Sequence, residues 1–222
     1  HLASINNKIN KLSIGDELKI TKTVLSSLDS LKCKKLIFFS TSKVYGDNNL
    51  KQNFFDESSA LDPKCFYGKA KKLCEELIIT QASFLNISVL ILRLPPVLNN
   101  SKSSNISKLI NLSKKSIVIP SLIYGESNQR SFISFNNIKY FFNHILENPH
   151  LLEKREIYNL SDSGFISLHE LLSIVGKSKI FSLPKLISKL FISIPVVSTI
   201  LIKLYGNFVI DNQKLKKDMD VK

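Results

Sequence analysis

Tyr67 and Lys71 stand four residues apart in a stretch of helical periodicity, so their side chains share one face. A free phenol has a pKa of about 10, too high for a base at neutral pH. A neighbouring ammonium favours phenolate and lowers that value. Such a pair can take the proton of a substrate hydroxyl while hydride leaves the same carbon. A short hydroxyl would orient that alcohol. Ser40-Thr41-Ser42 offers three of them directly after the apolar run Leu36-Ile37-Phe38-Phe39. Alone, a Tyr-x-x-x-Lys in a chain with 6 Tyr and abundant Lys is weak, and its ordinary meaning is a solvated helix face. Context raises it. Thr41 lies 26 residues upstream (67 − 41) at the end of an apolar strand, and a Pro-terminated strand follows downstream.

The elements that must position these groups are legible as periodicity. Residues 16–31 read as a helix that Asp16 can cap, with Leu18, Thr21, Leu25 and Leu28 at helical spacing. The run at 36–39 reads as a strand buried on both faces. A loop runs to Pro63, and residues 66–84 read as a second helix with Leu73, Leu77 and Ile78 inward. Ile87 to Arg93 is another fully apolar strand, stopped by Pro95-Pro96. This alternation of helix and strand signals parallel α/β architecture. In open parallel sheets, ligands bind beyond the carboxyl ends of the strands, where Ser40 to Ser42 and the start of the second helix both belong.

After Pro96 the pattern changes. Asn99 to Ser104 is a polar loop, 105–115 a helix, Ser116 to Ile119 a short strand and Phe132 to Phe135 another. Asn136-Asn137 can cap a helix running to Glu147. Ile157 to Leu160 is a strand, and Ser167 can cap a helix over 168–175. No internal repeat is visible. The reading is one α/β body with a smaller, mixed C-terminal part.

Composition bounds the function classes. The chain has 222 residues, 44% hydrophobic and 22% charged, which is globular and excludes a disordered, collagenous or disulfide-rich protein. The net charge of +13 attracts polyanions in general. The Lys residues are spread without a long basic run or aromatic interleaving, so no specific nucleic-acid binding is expected. Cys33, Cys65 and Cys74 form no CxxC and the 4 His no HxxxH, which predicts no metal site and reduced thiols in the cytoplasm. Lys185, Lys189, Pro195 and Lys203 interrupt the apolar stretch Leu183 to Gly206. No transmembrane span is expected there, since a span needs about 20 apolar residues; peripheral membrane contact stays open.

The motifs in order resemble the extended short-chain dehydrogenase/reductase family, the NAD-dependent nucleotide-sugar epimerases and dehydratases. His1-Leu2-Ala3 resembles its HLAA, Ser40 to Gly46 its SSxxVYG, and Tyr67-Gly68-Lys69-Ala70-Lys71 its YGxSK. Arg93 to Val97 is similar to its LRxPxV, and Arg130-Ser131-Phe132-Ile133-Ser134 to its RDFIxVDD. Tyr158-Asn159-Leu160 with Ser167-Leu168, and then Asp211 to Leu215, resemble its closing motifs. The resemblance runs the whole length of the chain. It implies a Rossmann-like doubly wound parallel sheet, lacking its first βαβ units, with a smaller mixed α/β substrate-binding part. Residues 1–98 would be the remainder of the NAD-binding domain, with 131–162 returning to it. Residues 99–130 and 163–222 would bind substrate.

Carried over by position, Thr41, Tyr67 and Lys71 would be catalytic: hydroxyl anchor, base and activator. Ala3, Ser40 and Pro95 would line NAD together with Tyr67 and Lys71. Thr41, Ser42, Asn105, Val118 and Arg130 would bind a UDP-linked sugar, Asn105 and Arg130 at the diphosphate. A homodimer is implied for the full-length protein. Where family dehydratases carry Asp-Glu after the Thr, Ser42-Lys43 stand here, and decarboxylases place Glu at the Lys43 position. Both departures point to an epimerase, and the segment Leu92 to Ser134 with the tail at Leu183-Pro184 resembles the 4-epimerases of surface-polysaccharide synthesis that act on UDP-N-acetylhexosamines. Asn99 and Asn136-Asn137 depart from the family's Gly and acidic pair. The family's glycine-rich phosphate loop lies upstream of His1, so these 222 residues alone are expected to bind NAD poorly, to be inactive, and to expose an aggregation-prone sheet edge. A 4-keto-sugar reductase of the same family and a non-catalytic basic binding protein on the same fold are the alternatives.

Overall fold

The computed structural model describes residues 13–49, 54–98, 110–111, 113–115, 118–121, 128–175, 179–182, 184 and 193–220. Ala3, Asn105, Ser116 and most of the expected helix 105–115 lie outside them. The centre is a three-stranded parallel sheet in the order β1-β3-β7, formed by β1 (Lys35–Thr41), β3 (Ser88–Leu94) and β7 (Arg155–Asn159). Its register pairs Thr41 with Leu94 and Arg93 with Asn159, so the three carboxyl ends are level.

The apolar strands are continuous because both faces are covered. Val89 and Ile91 of β3 pack with Leu36, Phe38, Cys74 and Ile78 under two helices, α1 (Ile14–Ser30) and α2 (Phe66–Leu85). Leu90, Leu92 and Leu94 point the other way, into a cluster with Phe141, Ile145 and Tyr158. Phe141 and Ile145 belong to α3 (Phe135–Glu147). Complete burial of a side chain such as Phe38 contributes about 1.5–3 kcal/mol.

Shorter parallel pairs surround this sheet: β2 (Phe54–Phe55) with β9 (Val209–Ile210), β4 (Val97–Leu98) with β6 (Ile133–Ser134), and β5 (Val118–Ser121) with β8 (Lys179–Ser182). Further α-helices are α4 (Leu168–Val175), α5 (Pro195–Tyr205) and α6 (Gln213–Met219), and a 3-10 helix spans Pro149–Leu152. Among the described residues no helix is long and apolar enough to cross a membrane.

Several local expectations need correction. Asp16 does not cap α1, which begins at Ile14 and carries Asp16 within its first turn. Ser134, not the Asn136-Asn137 pair, caps α3 by accepting from the Asn137 amide, while the Asn137 side chain bonds Asp162. Ser40 and Thr41 are the last residues of β1 rather than its sequel. Leu73, expected inward, is 40% exposed. The strand expected at Ser116 to Ile119 is β5, two residues later. Ser167 does cap α4 by a reciprocal capping box, accepting from the Glu170 amide while Glu170 accepts from its own amide.

Candidate active site

The carboxyl end of β1 and the first turn of α2 meet at one glycine. Thr41 ends β1 and caps a 3-10 turn, Ser42–Val44, its Oγ1 accepting from the Lys43 amide at 3.2 Å. That acceptor role leaves the hydroxyl proton for a further partner. α2 starts behind Cys65, whose Sγ accepts from the Gly68 amide at 3.4 Å. A Cβ on Gly68 would sit 2.5 Å from the Lys43 carbonyl oxygen, so only glycine permits this approach. Gly68→Ala is expected to cost about 1–3 kcal/mol, because the Lys43 carbonyl is backbone and cannot rotate away. Urea denaturation measures it, and an unchanged midpoint would contradict the tight contact.

One turn along α2 the Lys71 ammonium lies 6.0 Å from the centroid of the Tyr67 ring and 4.8 Å from that of Phe38. It is no solvated face. Lys71 is 3% exposed, and its Nζ sits 3.1 Å from Glu17 Oε1 of α1. Tyr67 is partly buried. Burial, then Glu17, then Cys65 push its phenol up to about 12. The expectation that Lys71 depresses this pKa is therefore corrected: desolvation penalises phenolate, and a carboxylate meets the same ammonium.

The other site residues separate into groups. Ser40 is buried and donates to Glu75. Glu75 forms a bidentate pair with Arg93, with Nη2 to Oε2 at 2.7 Å and both side chains almost wholly buried. Arg93 continues to the Tyr45 hydroxyl at 3.0 Å, which donates to Asn159 at 2.8 Å. Pro95 is buried just past β3, and Ser42 is buried in the 3-10 turn. Val118 lies in β5, paired with Lys179 and outside the central sheet.

Arg130 is 5% exposed rather than solvated, and burial pulls its pKa down to about 10. Its backbone bridges Ile166 and Phe208, and its Nη1 donates to the Lys203 carbonyl at 3.3 Å. Lys43 lies within its electrostatic reach. Burial lowers the Lys43 pKa, Asp47 opposes this, and Arg130 adds to it. The Lys43 Nζ contacts Asp47 Oδ1 at 3.4 Å and Asn48 Oδ1 at 3.2 Å.

Sequence reasoning missed Glu17, Glu75 and the role of Arg93. Glu75 had a signal, since 67, 71 and 75 form one i, i+4 stripe on α2. Glu17 had none, being 54 residues (71 − 17) from its partner.

A family model described as the NAD dependent epimerase/dehydratase family matches residues 4–161. The chain belongs to that family. Within it, the chain is similar to a UDP-glucose 4-epimerase of Vibrio cholerae, 26% identical over 197 residues, which are 84% of this chain and 57% of that protein. The chain thus spans little more than half of that relative's length. A UDP-glucuronic acid 4-epimerase from Bacillus cereus, solved in complex with NAD, superposes with a TM-score of 0.75 at 18% identity. The match covers 100% of this chain and 67% of that one. A UDP-N-acetylglucosamine 4-epimerase from Bacillus cereus gives 0.73 at 13% identity, covering 99% and 71%. At such identities the superpositions establish the shared α/β fold. The family model also takes in β7, so the central sheet of this epimerase/dehydratase family member lies inside the matched segment.

Proposed function

We propose that the chain is part of an NAD-dependent nucleotide-sugar 4-epimerase acting on a UDP-linked hexose or N-acetylhexosamine in surface-polysaccharide synthesis. The observation that carries this is the docking of Gly68 against the turn after Thr41, which brings the start of the Tyr67/Lys71 helix to the carboxyl end of β1. The absence of an acidic pair after Thr41, where Ser42-Lys43 stand, favours epimerisation over dehydration.

The residues present fit the reactive end of NAD. Hydroxyls end β1, a buried proline follows β3, and a Tyr/Lys pair stands beside them. The 222 residues contain no glycine-rich phosphate loop for the remainder of the cofactor. NAD, when bound, supplies a reversible hydride acceptor. Everything else falls to the chain. Thr41 orients the sugar C4 hydroxyl, Tyr67 takes its proton and later returns it to the epimer, and Lys71 holds the charge beside the phenol. Arg130 and Asn105 hold the diphosphate, with Ser42 at the sugar and Val118 beside the base. Ala3, Ser40 and Pro95 line the cofactor. Residues 1–98 and 131–162 form the cofactor half, and 99–130 with 163–222 the substrate half. The protein works as a cytoplasmic homodimer. Support for the dimer comes from the exposed apolar side chains Leu73, Ile79 and Phe84 on α2.

The test is an assay of a chain extended to the length of its relatives. It should interconvert a UDP-hexosamine and its C4 epimer without net NADH. A dehydrated 4-keto-6-deoxy product would refute the epimerase, and net cofactor consumption would favour a reductase. Arg130→Ala should weaken UDP binding by about 1.5–3 kcal/mol, the scale of a charge-assisted hydrogen bond. Calorimetry reads this change. Retention on a DNA column should hardly change.

A further inference from the structure

We propose that Glu17 is a positioning residue for the Tyr67–Lys71 pair: its carboxylate, reaching across from α1, fixes the Lys71 ammonium and shares its charge, so two helices govern the base. The assignment rests on Tyr67 acting as the proton acceptor, as proposed above.

The geometry is that of a built contact. Glu17 Oε1 and Lys71 Nζ are 3.1 Å apart, with side chains 1% and 4% exposed. An ion pair this dry is set by its surroundings, because neither charge can turn to water. Glu17 lies in the first turn of α1, where backbone amides favour a carboxylate. A second contact locks the helices at the same level. The Thr21 hydroxyl lies 3.1 Å from the Glu17 carbonyl oxygen and 3.2 Å from Cys74 Sγ, its one proton shared between them, joining α1 to α2. The Phe38 ring beneath the ammonium closes the pocket from β1.

The consequence follows from charge. An ammonium beside a phenol favours phenolate, and a carboxylate on the same ammonium works against that. Tyr67 responds to Glu17 in this sense. Among the described residues, the other titratable groups that act on Tyr67 and Cys74 are Cys65 before α2 and Glu75 on α2. Glu75 is committed to Arg93 and Ser40, which leaves Glu17 as the carboxylate that balances Lys71. Glu17 thus disfavours phenolate at Tyr67, and it holds the ammonium one helical turn from the ring.

The test is a titration of the full-length protein labelled with [13Cζ]tyrosine, the Tyr67 signal being assigned by its loss in Tyr67→Phe. Glu17→Gln should lower the Tyr67 midpoint by about one unit or more, the scale on which a neighbouring charge moves a pKa. Glu17→Asp should restore it most of the way. A folded Glu17→Gln protein whose Tyr67 midpoint moves by less than about 0.3 units would overturn the proposal. Should that variant not fold, the wild type still decides. The held ammonium predicts a slowly exchanging lysine 15Nζ signal that is lost in Lys71→Met, and its absence would refute the inference. Neither readout needs turnover, so a failed epimerase assay with a shifted Tyr67 would count against the function and not against Glu17.

Discussion

Replacing Tyr67 by Phe should lower kcat about 10²–10⁴-fold, the usual loss when a general acid–base group is removed. The ring stays, so packing beside Lys71 and the α2 start should be preserved, and KM for the nucleotide sugar should change little. The size of the loss follows from the geometry. Thr41 and Lys71 remain, but neither would replace the phenolate form of Tyr67 as the proposed acceptor of the alcohol proton, since the Lys71 ammonium carries no lone pair. Steady-state kinetics on a chain of its relatives' length measures it. Activity within a factor of about three of the wild type would reduce Tyr67 to a tyrosine with no part in the chemistry.

The largest stability effect is expected at Glu75. Its carboxylate receives three nitrogen–oxygen contacts from Arg93 and one hydroxyl from Ser40, with almost no water access. Glu75→Leu keeps the volume and leaves the Arg93 charge buried without its carboxylate. Removing one partner of a buried pair costs about 3–5 kcal/mol. Urea unfolding should show this as a shifted midpoint with an unchanged slope. The double variant Glu75→Leu/Arg93→Met should recover most of the loss, because no charge is then stranded. A loss below about 1 kcal/mol in the single variant would show that Arg93 finds other partners readily. Because Ser40 and Arg93 each lie one residue before the end of their strand, this network also fixes the strand ends beside which Thr41 and Pro95 stand.

Much of the site was legible in local spacing. Tyr67 and Lys71 had to share a face once residues 66–85 formed a helix, since 3.6 residues per turn settles that. Thr41 had to stand at the sheet's carboxyl edge once β1 formed, because the apolar run stops just before it, at Phe39. The parallel α/β class followed from alternating apolar runs, and α4 was expected over the residues it occupies. The α3 cap was misread because an Asn pair and a Ser two residues earlier are equivalent signals. The strand β6 ends at Ser134, so it is that hydroxyl which reaches the first free amides.

The sequence by itself therefore determined which chemistry-bearing side chains share a helix face or a strand end, because backbone geometry sets those distances within a few residues. Tertiary structure alone decided what each charge meets. Glu17 reaches Lys71 across 54 residues (71 − 17) because α1 docks on α2, and the same docking dries the pair. Arg130, expected from its motif at the diphosphate, is a buried cation near Lys43. The sign of the Tyr67 shift changed with its neighbours, since the ammonium expected to acidify it is shared with a carboxylate and the ring itself is partly withdrawn from water. Desolvation and pairing depend on how elements pack, and no spacing along the chain encodes them.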